Sequence, residues 1–203
     1  FFEAKELVNE LLEQKELYED TETLAKVYNY AGNINRNLSD FTQALEFFEK
    51  AILIEKQNQN LDGIATNYTN MAVVYGSLSD FPKSLHFFED ALKIYEEIGD
   101  MVHIAAVLGN LGIVYRSLSD YPKSLEYYGK AIKIEEECRN NNGIAKNLGN
   151  IGNVYNSLAD YPKAIEYYEM ANKIKEEINI KEGMESNLGN LGSVYTYLSD
   201  YPK

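Results

Sequence analysis

The sequence predicts an all-α protein assembled from stacked helical repeats, and three observations predict it. Asp40, Asp80, Asp120, Asp160 and Asp200 stand forty residues apart, each preceded by Leu-Ser or Leu-Ala and followed by Phe or Tyr. Self-similarity at such a period marks supersecondary units that bury their apolar faces only by stacking on neighbours. Within one unit the apolar residues recur at spacings of three and four, the period of an amphipathic helix. The composition agrees: 203 residues are 45% hydrophobic and 25% charged, with only 4 Pro, and no stretch alternates apolar and polar for the length of a strand.

In chain order, residues 1–20 (FFEAKELVNELLEQKELYED) align with the segments beginning at Phe41 and Phe81 and read as the second helix of a repeat lacking its first. Four repeats follow over residues 21–60, 61–100, 101–140 and 141–180, and residues 181–203 begin a further one that stops at YPK. The chain thus reads as a segment of a longer array. In the fourth repeat, Ile144 to Leu158 forms helix A, with Leu148, Ile151, Val154, Tyr155 and Leu158 on the core side. Asp160 is placed to cap helix B, and Pro162 falls in the first turn, where its missing N–H has no helical partner to lose. Ile165, Tyr168, Ala171, Ile174 and Ile178 then describe a longer helix B. The short turn makes A and B antiparallel. Gly152 and Ala164 allow close approach, with Tyr155 and Tyr168 filling the remaining space.

These residues resemble the tetratricopeptide repeat. Its pattern appears as Ile151-Gly152, Tyr155, Ala164, Tyr168 and Ala171, again as Leu111-Gly112, Tyr115, Ser124, Tyr128 and Ala131, and again as Met71-Ala72, Tyr75, Ser84, Phe88 and Ala91. Two features depart from the common 34-residue form. The units are forty residues long, and the proline that usually closes helix B is replaced by Lys56, Glu96, Glu136 and Glu176. In this the chain is similar to the repeats of Pins/LGN, of kinesin light chain and of bacterial signalling arrays. The resemblance implies a right-handed α-solenoid whose A helices line a concave groove for extended peptides, and it implies no catalysis.

Each helical residue turns by about 100°, which divides helix A by angle. Opposite the core columns lies a stripe that, in the fourth repeat, holds Lys146, Gly149, Asn150, Asn153, Asn156 and Ser157. Thirty such positions across the array include the basic residues Lys26, Arg36, Arg116 and Lys146 and no acid, where about five acids would fall by composition. One column reads Tyr30, Asn70, Asn110, Asn150, Asn190, and a carboxamide can both donate to and accept from a peptide group. The resemblance implies that these amides hold a guest chain, flanked by Asn33 and Asn153. The alternative is that each bonds only to neighbouring helices. Asn147 lies in the core column of Val27 and Val107, where helices would satisfy its amide. The acids, including Glu46, Glu89, Glu126, Glu166 and the run Glu135 to Glu137, are assigned to a solvated outer face of helix B.

The net charge of −13 argues against nucleic acid, which needs basic residues against its phosphates. The acid-free stripe instead suits an extended partner bearing acidic residues. No run spans a bilayer and the N-terminus lacks the pattern of a signal peptide, so no membrane partner is expected and the cytoplasm is the default location. His86 sits on helix B and His103 at the junction before helix A, neither at metal-binding spacing, and Cys138 takes a core column with Ile98 and Ile178. No cofactor, metal or catalytic constellation is expected. The function read from the sequence is a protein-interaction scaffold that binds an extended peptide. The alternative is a regulatory, self-associating segment of a larger signalling protein such as a kinase or cyclase. Head-to-tail docking of residues 1–18 beside residues 185–198 is expected because Leu191, Val194 and Leu198 would otherwise lie bare.

Overall fold

The structure, a computed structural model, describes residue 6 and residues 21–180 and 183–200. The helix expected over residues 1–20 lies outside them. The chain divides into two compact units, residues 1–100 and 101–203.

The first unit contains α1 (Thr21–Asn37), α2 (Phe41–Gln57), α3 (Leu61–Ser77) and α4 (Phe81–Ile98). Each helix packs on the next in sequence, and α1 also touches α3. Phe48 is fully buried over Gly32, where an added Cβ would stand 2.5 Å from the ring, and it shares a core with Ala44, Ile52, Met71 and Val74.

The second unit contains α5 (Met101–Ser117), α6 (Tyr121–Glu137), α7 (Asn141–Ser157), α8 (Tyr161–Glu177) and α9 (Met184–Asp200). Tyr128 and Tyr168 repeat the role of Phe48: a Cβ on Gly112 or Gly152 would come within 2.6 or 2.7 Å of their rings. Burial drives both phenols up to about 12, so both stay protonated.

Each A-to-B turn is made locally. Asp80, Asp120 and Asp160 accept from the backbone N–H three residues on, at 3.3, 3.2 and 3.4 Å, and the proline two residues after each cap sits at the helix start. The next residue, Lys83, Lys123 or Lys163, returns to the capping carboxylate and lies 4.9 to 5.0 Å from the ring centre of Tyr75, Tyr115 or Tyr155. The residue before each cap has a positive φ, for example Ser119 at 59° and Ala159 at 56°.

Several sequence expectations are corrected. In the fourth repeat helix B is no longer than helix A, since α7 and α8 both have 17 residues; Asn140 caps α7 and starts it earlier than the apolar pattern does. Leu158 is 47% exposed, because it is the C-cap and the left-handed residue after it turns the chain away. Cys138 is also an exposed C-cap, and Ile98 in the same column is exposed too. His103 lies inside the first turn of α5. Leu191 and Val194 are covered by α8, in one cluster with Ala164 and Tyr168.

Candidate interaction surface and its glutamate pockets

The stripe on the A helices is less open than angle alone predicts. Gly109 and Gly149 are buried, because the Oδ1 atoms of Asn147 and Asn187 lie 2.9 Å from where their Cβ atoms would stand. That column is a seam between successive A helices, and the buried Asn147 belongs to it.

In the first unit the seam is bridged by amides. Asn33 Nδ2 donates to Asn29 Oδ1 at 3.0 Å, Asn29 Nδ2 to Asn67 Oδ1 at 2.9 Å, and Asn67 Nδ2 to the Gly63 carbonyl at 2.8 Å. Arg36 Nη1 donates to Asn70 Oδ1 at 3.1 Å, and burial lowers the guanidinium from its ordinary value. Lys26 is exposed and pairs with Glu22 at 2.6 Å. Tyr30, in the asparagine column, is 64% exposed.

In the second unit Asn153 Oδ1 accepts from Tyr168 Oη at 2.7 Å and from Asn190 Nδ2 at 2.9 Å. Asn153 is therefore held by its neighbours. Arg116 is half-buried, and its Nε has no hydrogen-bond partner among the described residues. Asn110 and Asn150 are half-buried, and no hydrogen bond among the described residues engages their amides.

Asn110 and Asn150 line a cavity of about 210 Å³ with Lys146, Asn140, Asn147 and Glu135. Glu135, read from the sequence as part of a solvated acidic run, is only 5% exposed. It lies under Gly143, where a Cβ would run into its carboxyl group. Burial raises its carboxyl above the ordinary glutamate value, with Asn140 and Lys146 pulling the other way, and its Oε2 has no hydrogen-bond partner among the described residues. The first unit has a counterpart of about 210 Å³, lined by Asn29, Tyr30, Glu55, Asn60, Thr66 and Asn67. There Glu55 is 4% exposed, lies under Gly63, and accepts from Asn60 Nδ2 through Oε2 at 2.8 Å. The acid missing from the stripe thus reaches it from the ends of α2 and α6. The only signal in the sequence was a pairing: a glutamate five residues before the capping asparagine, with a glycine three residues after it.

A family profile described as tetratricopeptide repeat matches residues 23–97 and 103–177. The chain belongs to the tetratricopeptide repeat family. Its fold is the all-α, α-solenoid class of that family, whose repeats serve as protein-interaction scaffolds. Solved structures of the same fold include BtubC (BKLC) from P. vanneervenii, at 24% identity and TM-score 0.72, covering 87% of this chain and 74% of that one. A signal transduction ATPase with numerous domains and a tetratricopeptide repeat sensor, from Pyrococcus horikoshii, matches at 19% identity and TM-score 0.81, over 96% of this chain and 30% of that one. A Rap protein complexed with competence and sporulation factor matches at 18% identity and TM-score 0.79, over 93% of this chain and 56% of that one. No curated protein was found to match the sequence. No helix among the described residues of this tetratricopeptide array is long and apolar enough to cross a membrane.

Proposed function

We propose that this array is a protein-interaction scaffold that binds an extended peptide along its A helices, with Asn110 and Asn150 as the principal contacts. The observation that carries this reading is that their two half-buried amides line one cavity and have no hydrogen-bond partner among the described residues, whereas Asn70 and Asn190 each already bond to a neighbouring A helix. A guest backbone offers alternating donors and acceptors that such amides match. The Rap structure solved with competence and sporulation factor supports the fold's capacity for this use. Lys146 and Arg116 would meet acidic residues of the guest, with Asn153 at the rim; Lys26, Asn33 and Arg36 belong to the equivalent stripe of the first unit. A peptide selected from a random displayed library against the intact chain, then titrated by calorimetry, should bind the Asn110→Ala, Asn150→Ala double variant at least about tenfold more weakly. Affinity unchanged in that variant would refute the assignment.

A second reading, a sensor segment of a larger signalling protein such as a kinase or cyclase, draws on the multidomain Pyrococcus horikoshii neighbour, whose repeat part is a sensor. Self-association would use the exposed Leu188 and Tyr195 of α9; its proposed partner face on residues 1–18 lies, but for residue 6, outside the described residues. Concentration-dependent dimerisation in sedimentation, with no selectable peptide, would favour this reading.

A further inference from the structure

We infer that the Glu135 cavity is a binding site for a basic side chain, a lysine-type ammonium or an arginine guanidinium, supplied by the guest peptide. The inference rests on the peptide-binding reading and names the anchor that the guest must carry.

Glu135 lines the cavity and is 5% exposed, and its buried Oε2 has no hydrogen-bond partner among the described residues, so the carboxyl bordering the cavity keeps an unmet acceptor. A buried carboxylate without a donor costs far more than one that is met, which favours an occupant able to donate. A cation fits better than a neutral donor because it also neutralises the charge that burial disfavours. The other walls agree, since Asn110 and Asn150 line the cavity with amides that no hydrogen bond among the described residues engages, and a carboxamide oxygen can accept from the remaining ammonium or guanidinium hydrogens. A volume of about 210 Å³ is on the scale of one side chain rather than of a folded ligand. Lys146 at the rim is exposed, so its own ammonium can stay in water while the cavity fills. The glycine at 143 is what leaves room for the carboxyl beneath α7.

The counterpart around Glu55 is a built-in control, because Asn60 already donates to its Oε2 at 2.8 Å. The probe is n-butylammonium, with n-butanol as its uncharged analogue, added to the intact chain and followed by amide nuclear magnetic resonance. The ammonium should shift the Gly143 backbone signal and the Asn140 and Asn150 side-chain signals saturably, while butanol should not. Glu135→Gln should weaken that response at least about tenfold and Glu55→Gln should leave it unchanged. Equal responses to ammonium and butanol, or an undiminished response in a folded Glu135→Gln variant, would overturn the site. Peptide selection separates the two proposals. If a peptide binds but ammonium does not seat at Glu135, only the anchor fails; if ammonium seats and no peptide can be selected, the groove reading fails and with it the guest as the source of the cation.

Discussion

Around Glu55 and around Glu135, eighty residues apart, the chain builds one cavity twice, from a glutamate near the end of helix B, a capping asparagine and a glycine in the next helix A. The backbone plan is shared and the chemistry is not. At the first site Asn60 caps α3 through Oδ1 and meets Glu55 through Nδ2, and Asn29 ties the seam to Asn67. At the second, Asn140 caps α7 in the same way, Glu135 Oε2 is left unmet, and Gly109 replaces the bridging amide. A repeat fold can therefore carry a finished structural contact and an open binding site at equivalent positions. The side chains at the rim decide which one results.

The largest expected effect comes from the capping asparagines. Asn60→Ala removes a cap and the 2.8 Å bond that meets Glu55, costing about 2 to 3 kcal/mol, while Asn140→Ala removes a cap and only a looser contact with Glu135, at about 1 kcal/mol. Chemical denaturation of the two variants should show that gap. Equal losses would mean that the two carboxylates are equally well met.

Next is the charge itself. The folded state raises Glu135 above the ordinary value of 4.5, mainly through desolvation, against the opposing pull of Asn140 and Lys146. Below that ordinary value both folded and unfolded chains hold the proton, and no penalty separates them. Through the interval up to the raised value the folded chain keeps a proton that the unfolded chain has lost, so stability falls as pH rises. Glu135→Gln should remove this fall, read as a melting temperature less sensitive to pH as it rises above 4.5. Glu55→Gln should instead cost about 1 kcal/mol, because a charge-assisted hydrogen bond is weakened.

The smallest effect should be the same at both sites. Gln59 and Arg139 each hold a φ of 55° just before the capping asparagine, a left-handed conformation that suits glycine. Gln59→Gly and Arg139→Gly should each stabilise by about 0.5 kcal/mol, measured by thermal melts. A difference between them would put the asymmetry of the sites in the turns rather than in the carboxylates.

Much of the fold was legible because its determinants are local. The Asp-Phe/Tyr-Pro-Lys turns specify the cap, the helix start and the lysine that returns to the cap within four residues, and the structure repeats them with nearly constant geometry. The approach of Tyr168 to Gly152 was legible too, since a large ring and a missing Cβ recur together in sequence. Glu135 was not legible. Beside Glu136 and Glu137 it looks like one member of a solvated run, and its burial depends on a glycine in the following helix. Asn153 was likewise expected on the open face, whereas Tyr168 and Asn190 both donate to it.

The sequence by itself determined the all-α class, the forty-residue period, the capped turns and the core aromatics, because each follows from helical periodicity and contacts a few residues apart. Only the tertiary structure decided which polar groups are spent between helices and which remain for a partner. Hydrogen-bond satisfaction is a property of atoms brought together from different helices, and shifting one amide from α1 to its glycine equivalent in α5 accompanies a met carboxylate at one site and an open one at the other.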